Sequence, residues 1–264
     1  MALDSKIRPL PVYIALDVDT YEEAVAVVNA LGDDAMYYKV GLQLFSAAGR
    51  SIVEWLRAKG KSVFLDLKFH DIPQTVEKAV RQAAMLGVQL CTVHSLAGRE
   101  ALVRAVGAAQ EYGAASATKD DQMGILAVTL LTSIEDKTAQ EIGLAKKSIA
   151  EHVRSLALLA QAAGAHGVVC SAAELQEIKR ACPQLRALVP GIRPAGADRH
   201  DQARVATPSD AARWGADYLV VGRAVTTATD RRAAYLDILR ELADAGYYER
   251  CGGMRHDDQR NHCH

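Results

Sequence analysis

No apolar run in this chain reaches the ~18–20 residues that a helix needs to cross a bilayer, although half of its 264 residues are apolar. That apolar half is therefore free to build a core, and no membrane span is expected. Neither sign of charge is in excess: 31 basic residues stand against 32 acidic ones. Such a balance provides no general attraction to nucleic acid or to an anionic membrane surface, so an anionic ligand must be caught by a local cluster of donors. The opening residues, MALDSKIRPLPVYIALD, contain no apolar stretch ending in a small-residue cleavage site, and no secretory leader is expected. The cysteines (Cys91, Cys170, Cys182, Cys251 and Cys263) are odd in number and widely spaced. Cys91 and Cys170 lie inside apolar runs, where a free thiol behaves as a small hydrophobe. Reduced thiols and a cytoplasmic location follow as expectations. A dinucleotide fingerprint is missing, the histidines are not spaced as a metal set, and neither Ser95 nor Ser171 sits in a nucleophile elbow.

What is present is a rhythm. Short β-branched runs occur at 12–17, 36–41, 62–67, 90–95, 125–131, 167–171, 186–191 and 217–222. Helix-like stretches lie between them, near 21–31, 43–59, 73–86, 97–112, 143–164, 172–181, 208–214 and 229–245. In 43–59, Leu44, Ile52, Trp55 and Leu56 share one face, the pattern of a helix lying on a sheet. Strands that are nearly continuously apolar, each followed by a helix, imply a parallel sheet covered by helices. Eight such units favour closure into a single (β/α)8 TIM barrel of the α/β class over an open sheet. No composition break divides the chain, so residues 1–250 are expected to form one barrel domain and 251–264 a polar extension.

Two stretches depart from the rhythm. Residues 193–206, RPAGADRHDQARVA, are polar and rich in Gly and Pro, and a loop of that length in a compact barrel is usually a functional lid. The end, CGGMRHDDQRNHCH, has no apolar face; its Cys251, His256, His262, Cys263 and His264 could ligate zinc only if a packed scaffold fixed them, and none is evident. No metal site is expected.

In a barrel of this kind the active site lies at the carboxyl ends of the strands. Those ends read Asp17, Lys39, Asp66 with Lys68, His94, Thr132, Arg193 and Arg223. A charge ending one strand can be a solvated rim residue, and His94 can be a packing histidine, but several charges aimed at one mouth point to a site. The densest stretch is FLDLKFHDIPQT at 64–75. Asp66 and Lys68 are two apart and face the same way on an extended strand. Asp71 precedes Pro73, which suits the first turn of the next helix. An exposed Asp66–Lys68 pair alone would be a minor salt bridge. With Lys39 and Asp17 ending the neighbouring strands, ~4.8 Å apart, alternating charges would keep one another ionised. Fixed negative charge and a proton donor then coexist at one spot, as the loss of carbon dioxide from an anion followed by protonation of a carbanion requires.

Phosphate capture is the second feature. LVVGRAV ends the eighth strand with Gly222 and Arg223, where barrels often bind phosphate. Gly222 permits close backbone approach, and Arg223 can bind two phosphate oxygens. VPGIRP ends the seventh strand with the polar loop beside it.

With these motifs in place, the chain resembles the orotidine 5′-phosphate decarboxylases of bacterial type. The resemblance spans roughly residues 12–240 and runs through ALD, KVG, FLDLKFHDIPQT, AVTLLTS, GVVCSA, VPGIRP, DQARVATP and VVGRAVT in order. It implies that Lys39, Asp66, Lys68 and Asp71 form the catalytic array, with Lys68 donating a proton to C6 of the pyrimidine and Asp66 beside the departing carboxylate. It further implies that Asp17 and Lys39 hold ribose hydroxyls, Thr132 meets the pyrimidine, Pro190 lines its pocket, and Gln202 and Arg223 grip the phosphate, with Arg193 and Gly222 also at the substrate. A homodimer is implied, in which Asp71, Ile72 and Thr75 complete the partner's site, with no cofactor. Departures are Gln74, where the family often has Asn, and HSLAG at 94–98 in place of HASGG. Two rivals remain: a magnesium-dependent sugar-phosphate decarboxylase of the same barrel superfamily, against which PGIRP and DQARV argue, and a non-catalytic nucleotide binder, for which so dense a charge cluster has no use.

Overall fold

The computed structural model describes residues 10–113, 122–144, 148–193 and 206–247. The eight expected strands are all present: β1 (Val12–Ala15), β2 (Tyr37–Gly41), β3 (Ser62–Phe69), β4 (Leu90–His94), β5 (Gly124–Val128), β6 (Gly167–Val169), β7 (Arg186–Val189) and β8 (Tyr218–Val221). Every neighbour pair is parallel, and β8 returns to β1, with Val12 opposite Leu219, to close the barrel. Closure follows from the composition of the strands, which are buried on both faces and leave no edge that could be solvated.

Alternation along each strand sorts side chains into two cores. Tyr13, Ala15, Phe64, Leu90, Leu126, Leu188, Tyr218 and Val220 fill the interior of the barrel. Val12, Ile14, Val40, Val63, Leu65, Val93, Val168 and Val221 belong to the larger shell packed under the helices. The interior is thus a plugged core and not a pore. Its lower layer is aromatic, with Tyr13 in tilted or edge contact with Tyr37, Phe64 and Tyr218 at centroid separations of 5.3, 5.7 and 6.2 Å. The upper inward positions, nearest the strand carboxyl ends, carry the polar residues.

The helices are α1 (Tyr21–Leu31), α2 (Leu42–Ala48), α3 (Arg50–Ala58), α4 (Pro73–Met85), α5 (Arg99–Gly113), α6 (Asp136–Glu141), α7 (Ile149–Ala162), α8 (Leu175–Ala181), α9 (Pro208–Arg213), α10 (Arg223–Thr226) and α11 (Arg231–Asp244). Several starts are capped by side chains. Thr20 accepts from Glu23 N, Asp230 accepts from Ala233 N, and Ser148 with Glu151 forms a reciprocal capping box. The single helix expected over 43–59 is instead two, because Gly49 takes φ 58° and ψ −147°, a conformation open to glycine, and turns the chain between α2 and α3. The long helix expected from 143 begins at Ile149, where Ser148 caps it, and the short α6 precedes it. Among the described residues no helix is long and apolar enough to cross a membrane. The extension 251–264, Gln202 and all of the expected lid except Arg193 and Ala206 lie outside the described residues.

Candidate active site

Asp17, Lys39, Asp66 and Lys68 meet at the carboxyl end of the barrel. Lys39 Nζ lies 2.8 Å from Asp17 Oδ1 and 3.9 Å from Asp66 Oδ2; Lys68 Nζ lies 2.8 Å from the same Asp66 Oδ2. The order is acid, base, acid, base along a line of contacts. Lys39 and Asp66 are both buried, with side-chain exposures of 11% and 12%. At that burial a charge without its partner leaves an uncompensated ion, a loss of ~3–5 kcal/mol. Each member therefore offsets the charge of its neighbours.

The way β3 delivers Lys68 differs from simple alternation. In a plain strand, residues two apart sit ~6.6 Å from each other along the axis. Here the register with β4 shifts: Leu65 pairs with Cys91, and the next pair is Phe69 with Val93. Asp66, Leu67 and Lys68 thus bulge opposite Thr92 alone. Lys68 has φ 49°, the one positive φ outside glycine among the described residues, a conformation that costs an L-residue ~1–2 kcal/mol. The bulge returns the lysine side chain toward Asp66. Thr92, fully buried, meets both: its hydroxyl donates to Asp66 Oδ1 at 3.0 Å and accepts from Lys68 N–H at 2.8 Å.

Asp71 does not join the line within one chain. It is exposed, its Oδ1 accepts from Ile72 N–H, and among the described residues it makes no ion pair. Ile72, which caps α4 just before Pro73, is 65% exposed, and Thr75 is also exposed. The three residues implied to serve a second subunit are thus all exposed on the single chain.

On the opposite side of the mouth, Gly222 precedes α10 and Arg223 begins it. A Cβ added at Gly222 would meet only Ala15 Cβ, at 3.8 Å, so the protein's own packing leaves that backbone open to the mouth. A cavity of about 390 Å³ joins Asp17 to Arg223, with Gln43, Thr227 and Arg231 on its walls. Pro190 and Arg193 are half-buried at the end of β7. Arg193 N–H donates to Ala206 O, and Ile192 bridges Ala206, so the base of the 193–206 loop is pinned at the rim. Thr132 is half-buried in the turn after β5. Gln202 falls outside the described residues.

His94 is buried and stacks on His70 with ring centroids 5.2 Å apart. Burial, with His70 and the Lys68 ammonium nearby, pushes its pKa down to about 4. It is a neutral ring whose Nδ1 accepts from Leu96 N–H, consistent with a packing histidine. Cys91, Cys170 and Cys182 are free and buried. Among the described residues, no cluster of three or more His, Cys, Asp or Glu side chains is placed to hold a metal ion.

Two functional neighbours were not singled out by sequence reasoning. Thr92 carries a signal, a hydroxyl in an otherwise apolar strand at the inward parity of Leu90 and His94. Gly41 stands in the KVG motif, and a Cβ there would lie 2.9 Å from Lys39 Nζ.

A closed (β/α)8 barrel whose mouth alternates ammonium and carboxylate, with an arginine across the opening, belongs to the class of barrel enzymes that act on small anionic substrates. Comparison with known proteins narrows the class. The family model described as "Orotidine 5'-phosphate decarboxylase / HUMPS family" matches residues 11–238. A protein of Heliobacterium modesticaldum named orotidine 5′-phosphate decarboxylase is 45% identical over 233 residues, 88% of this chain and 95% of that one. One of the same name from Sodalis glossinidius is 44% identical, covering 89% of this chain and 91% of its own. The crystal structure of orotidine 5′-phosphate decarboxylase from Lactobacillus acidophilus superposes with a TM-score of 0.76 at 37% identity, covering 88% of this chain and 98% of that one. The chain belongs to the orotidine 5′-phosphate decarboxylase / HUMPS family.

Proposed function

We propose that this chain decarboxylates orotidine 5′-phosphate to uridine 5′-phosphate, the last step of de novo pyrimidine nucleotide synthesis, in the cytoplasm and without a metal or organic cofactor. The observation that carries the reading is the line Asp17–Lys39–Asp66–Lys68 at the mouth. In the reaction the bond between C6 and its carboxylate breaks, the electron pair stays on C6, and carbon dioxide departs. That pair lies in the plane of the ring and cannot delocalise into its π system, so the transition state must be favoured by fixed charge. Lys68 Nζ provides that charge and then transfers its proton to C6, leaving a neutral amine that solvent reprotonates. Asp66 holds the ammonium in place from 2.8 Å and faces the departing carboxylate.

Asp17 and Lys39 bind the ribose hydroxyls, Thr132 meets the pyrimidine, and Pro190 lines its pocket. Arg223, the open Gly222 backbone, Gln202 and Arg193 hold the phosphate. Binding energy from the phosphate, remote from the bond that breaks, desolvates and aligns the reacting end. Asp71, Ile72 and Thr75 of each subunit complete the site of a second copy, which supplies the fourth charge of the array; their exposure beside the mouth supports this. Residues 1–250 form the catalytic domain, and 251–264 form an extension outside it.

The test is an absorbance assay of orotidine 5′-phosphate with purified protein in excess EDTA. Rapid loss of the substrate's ultraviolet band is expected. Absence of turnover, with activity on a sugar phosphate restored by magnesium, would replace this reading with the sister decarboxylase. Uridine 5′-phosphate binding with neither activity would leave a binding protein.

A further inference from the structure

We infer that Thr92 is a positioning residue that sets both ends of the Lys68 proton donor, an inference that rests on the proposed role of Lys68. A hydroxyl has one proton to donate and can accept at the same time. At Thr92 both capacities are committed, and their direction is fixed. The backbone N–H of Lys68 can only donate, so Thr92 Oγ1 accepts there at 2.8 Å, and its own proton must go to Asp66 Oδ1 at 3.0 Å.

Two consequences follow. The Lys68 N–H, displaced from the β3–β4 ladder where the register shifts, finds in Thr92 the acceptor that a strand carbonyl would otherwise provide. The left-handed backbone of Lys68 is thereby held by a side chain rather than by glycine freedom. Asp66, meanwhile, has Oδ1 turned to Thr92 and Oδ2 turned to Lys68 and Lys39. One oxygen of Thr92 thus fixes the origin of the lysine side chain through the backbone and its tip through the carboxylate. Both bonds are sheltered from water, since Thr92 is fully buried and Asp66 nearly so. Hydrogen bonds in such a site, one of them to an ionised carboxylate, are stronger than exposed ones.

The variants that separate positioning from packing are Thr92→Val, which keeps the shape and removes the oxygen, and Thr92→Ser, which keeps the oxygen and removes a packed methyl. Turnover of orotidine 5′-phosphate by T92V is expected to fall on the order of 10²-fold, with KM changed by less than about threefold, as for a misplaced catalytic group. T92S is expected to recover turnover to within about fivefold of the parent enzyme, although it loses a packed methyl and with it buried apolar surface. A purely structural role reverses the order, with T92S the more impaired. Should T92V not fold, Thr92→Cys against T92S makes the same comparison, because a thiol is a weak donor and acceptor. Amide hydrogen exchange at Lys68, measured by NMR without substrate, is expected to quicken at least tenfold in T92V and not in T92S. Undiminished turnover in T92V, or unchanged exchange at Lys68, overturns the inference while leaving the decarboxylase reading intact. An inactive parent enzyme with the exchange result as expected overturns the decarboxylase reading and the catalytic part of this inference, and leaves Thr92 as a backbone anchor.

Discussion

A methyl group at Gly41 would lie 2.9 Å from Lys39 Nζ and 3.4 Å from Asp17 Oδ1. Gly41 itself has φ −99° and ψ −176°, backbone that alanine adopts without strain. Gly41→Ala should therefore fold normally and act only by pushing the Lys39 ammonium off its line. Turnover is expected to drop roughly 10–100-fold, the scale of a displacement of about 1 Å, with a thermal midpoint within a few degrees of the parent; a variant as active as the parent would show that Lys39 needs no fixed place. The far end of the barrel holds a half-buried histidine. His166 Nε2 lies 2.8 Å from Tyr218 Oη, which also accepts from Arg186 Nη1 at 2.9 Å. Since arginine can only donate, the phenol proton points at a neutral His166. Burial, reinforced by the Arg186 charge and opposed by Asp217, pushes the pKa of His166 down to about 4 from an ordinary 6.5. Below pH 6.5 the unfolded chain takes up the proton before the folded one does, so stability is fully present above that pH and declines as pH falls toward 4. Allowing for partial exposure, the loss by pH 4 is about 2 kcal/mol. Urea midpoints at pH 7 and pH 5 should differ more in the parent than in His166→Asn, and equal shifts in both would assign the acid sensitivity elsewhere.

At the scale of elements, the strands were the most legible part of the chain. Runs such as LCTVHS and DYLVVG are apolar on both faces, and burial on both sides of a closed sheet demands that pattern. Charged residues at their ends marked the mouth, and Asp17, Lys39, Asp66 and Lys68 do meet there. The route by which Lys68 arrives was not legible. Alternation places it on the same face as Asp66, whereas the structure uses a bulge and a left-handed residue, and no glycine marks the position. Its signal is a threonine on the neighbouring strand, intelligible only once the register is known. Gly49 hid the break between α2 and α3 for a similar reason, since the apolar face continues from Leu44 to Ile52 across it. The end of β8 places Arg223 at the mouth. Arg223→Ala removes a guanidinium that can make two charge-assisted bonds to phosphate, and kcat/KM for orotidine 5′-phosphate is expected to fall roughly 10²–10⁴-fold. Circular dichroism should be unchanged, because Gly222 and the backbone of the short α10 remain. A loss below tenfold would move the phosphate away from this strand end.

Each chain brings Lys39, Asp66 and Lys68 together at its mouth and carries Asp71 on its outer surface. Asp71 is exposed and makes no ion pair among the described residues, next to an isoleucine that is 65% exposed. A second subunit seated on this surface would cover both side chains. Periodicity carries no sign of such a surface, because it reports which face is buried within a chain and says nothing of a face buried between copies; only the resemblance implied one. In a two-fold dimer each site would take Lys68 from one subunit and Asp71 from the other. The most direct test of this account is to mix two inactive variants, Lys68→Ala and Asp71→Ala, let subunits exchange, and assay orotidine 5′-phosphate in EDTA. Each variant alone should lack turnover, and the equimolar mixture should recover roughly a quarter of parental activity, since half of the dimers are mixed and each mixed dimer has one intact site. A mixture as inactive as its components, or either variant active by itself, would contradict the shared site and the roles assigned to Lys68 and Asp71 within it.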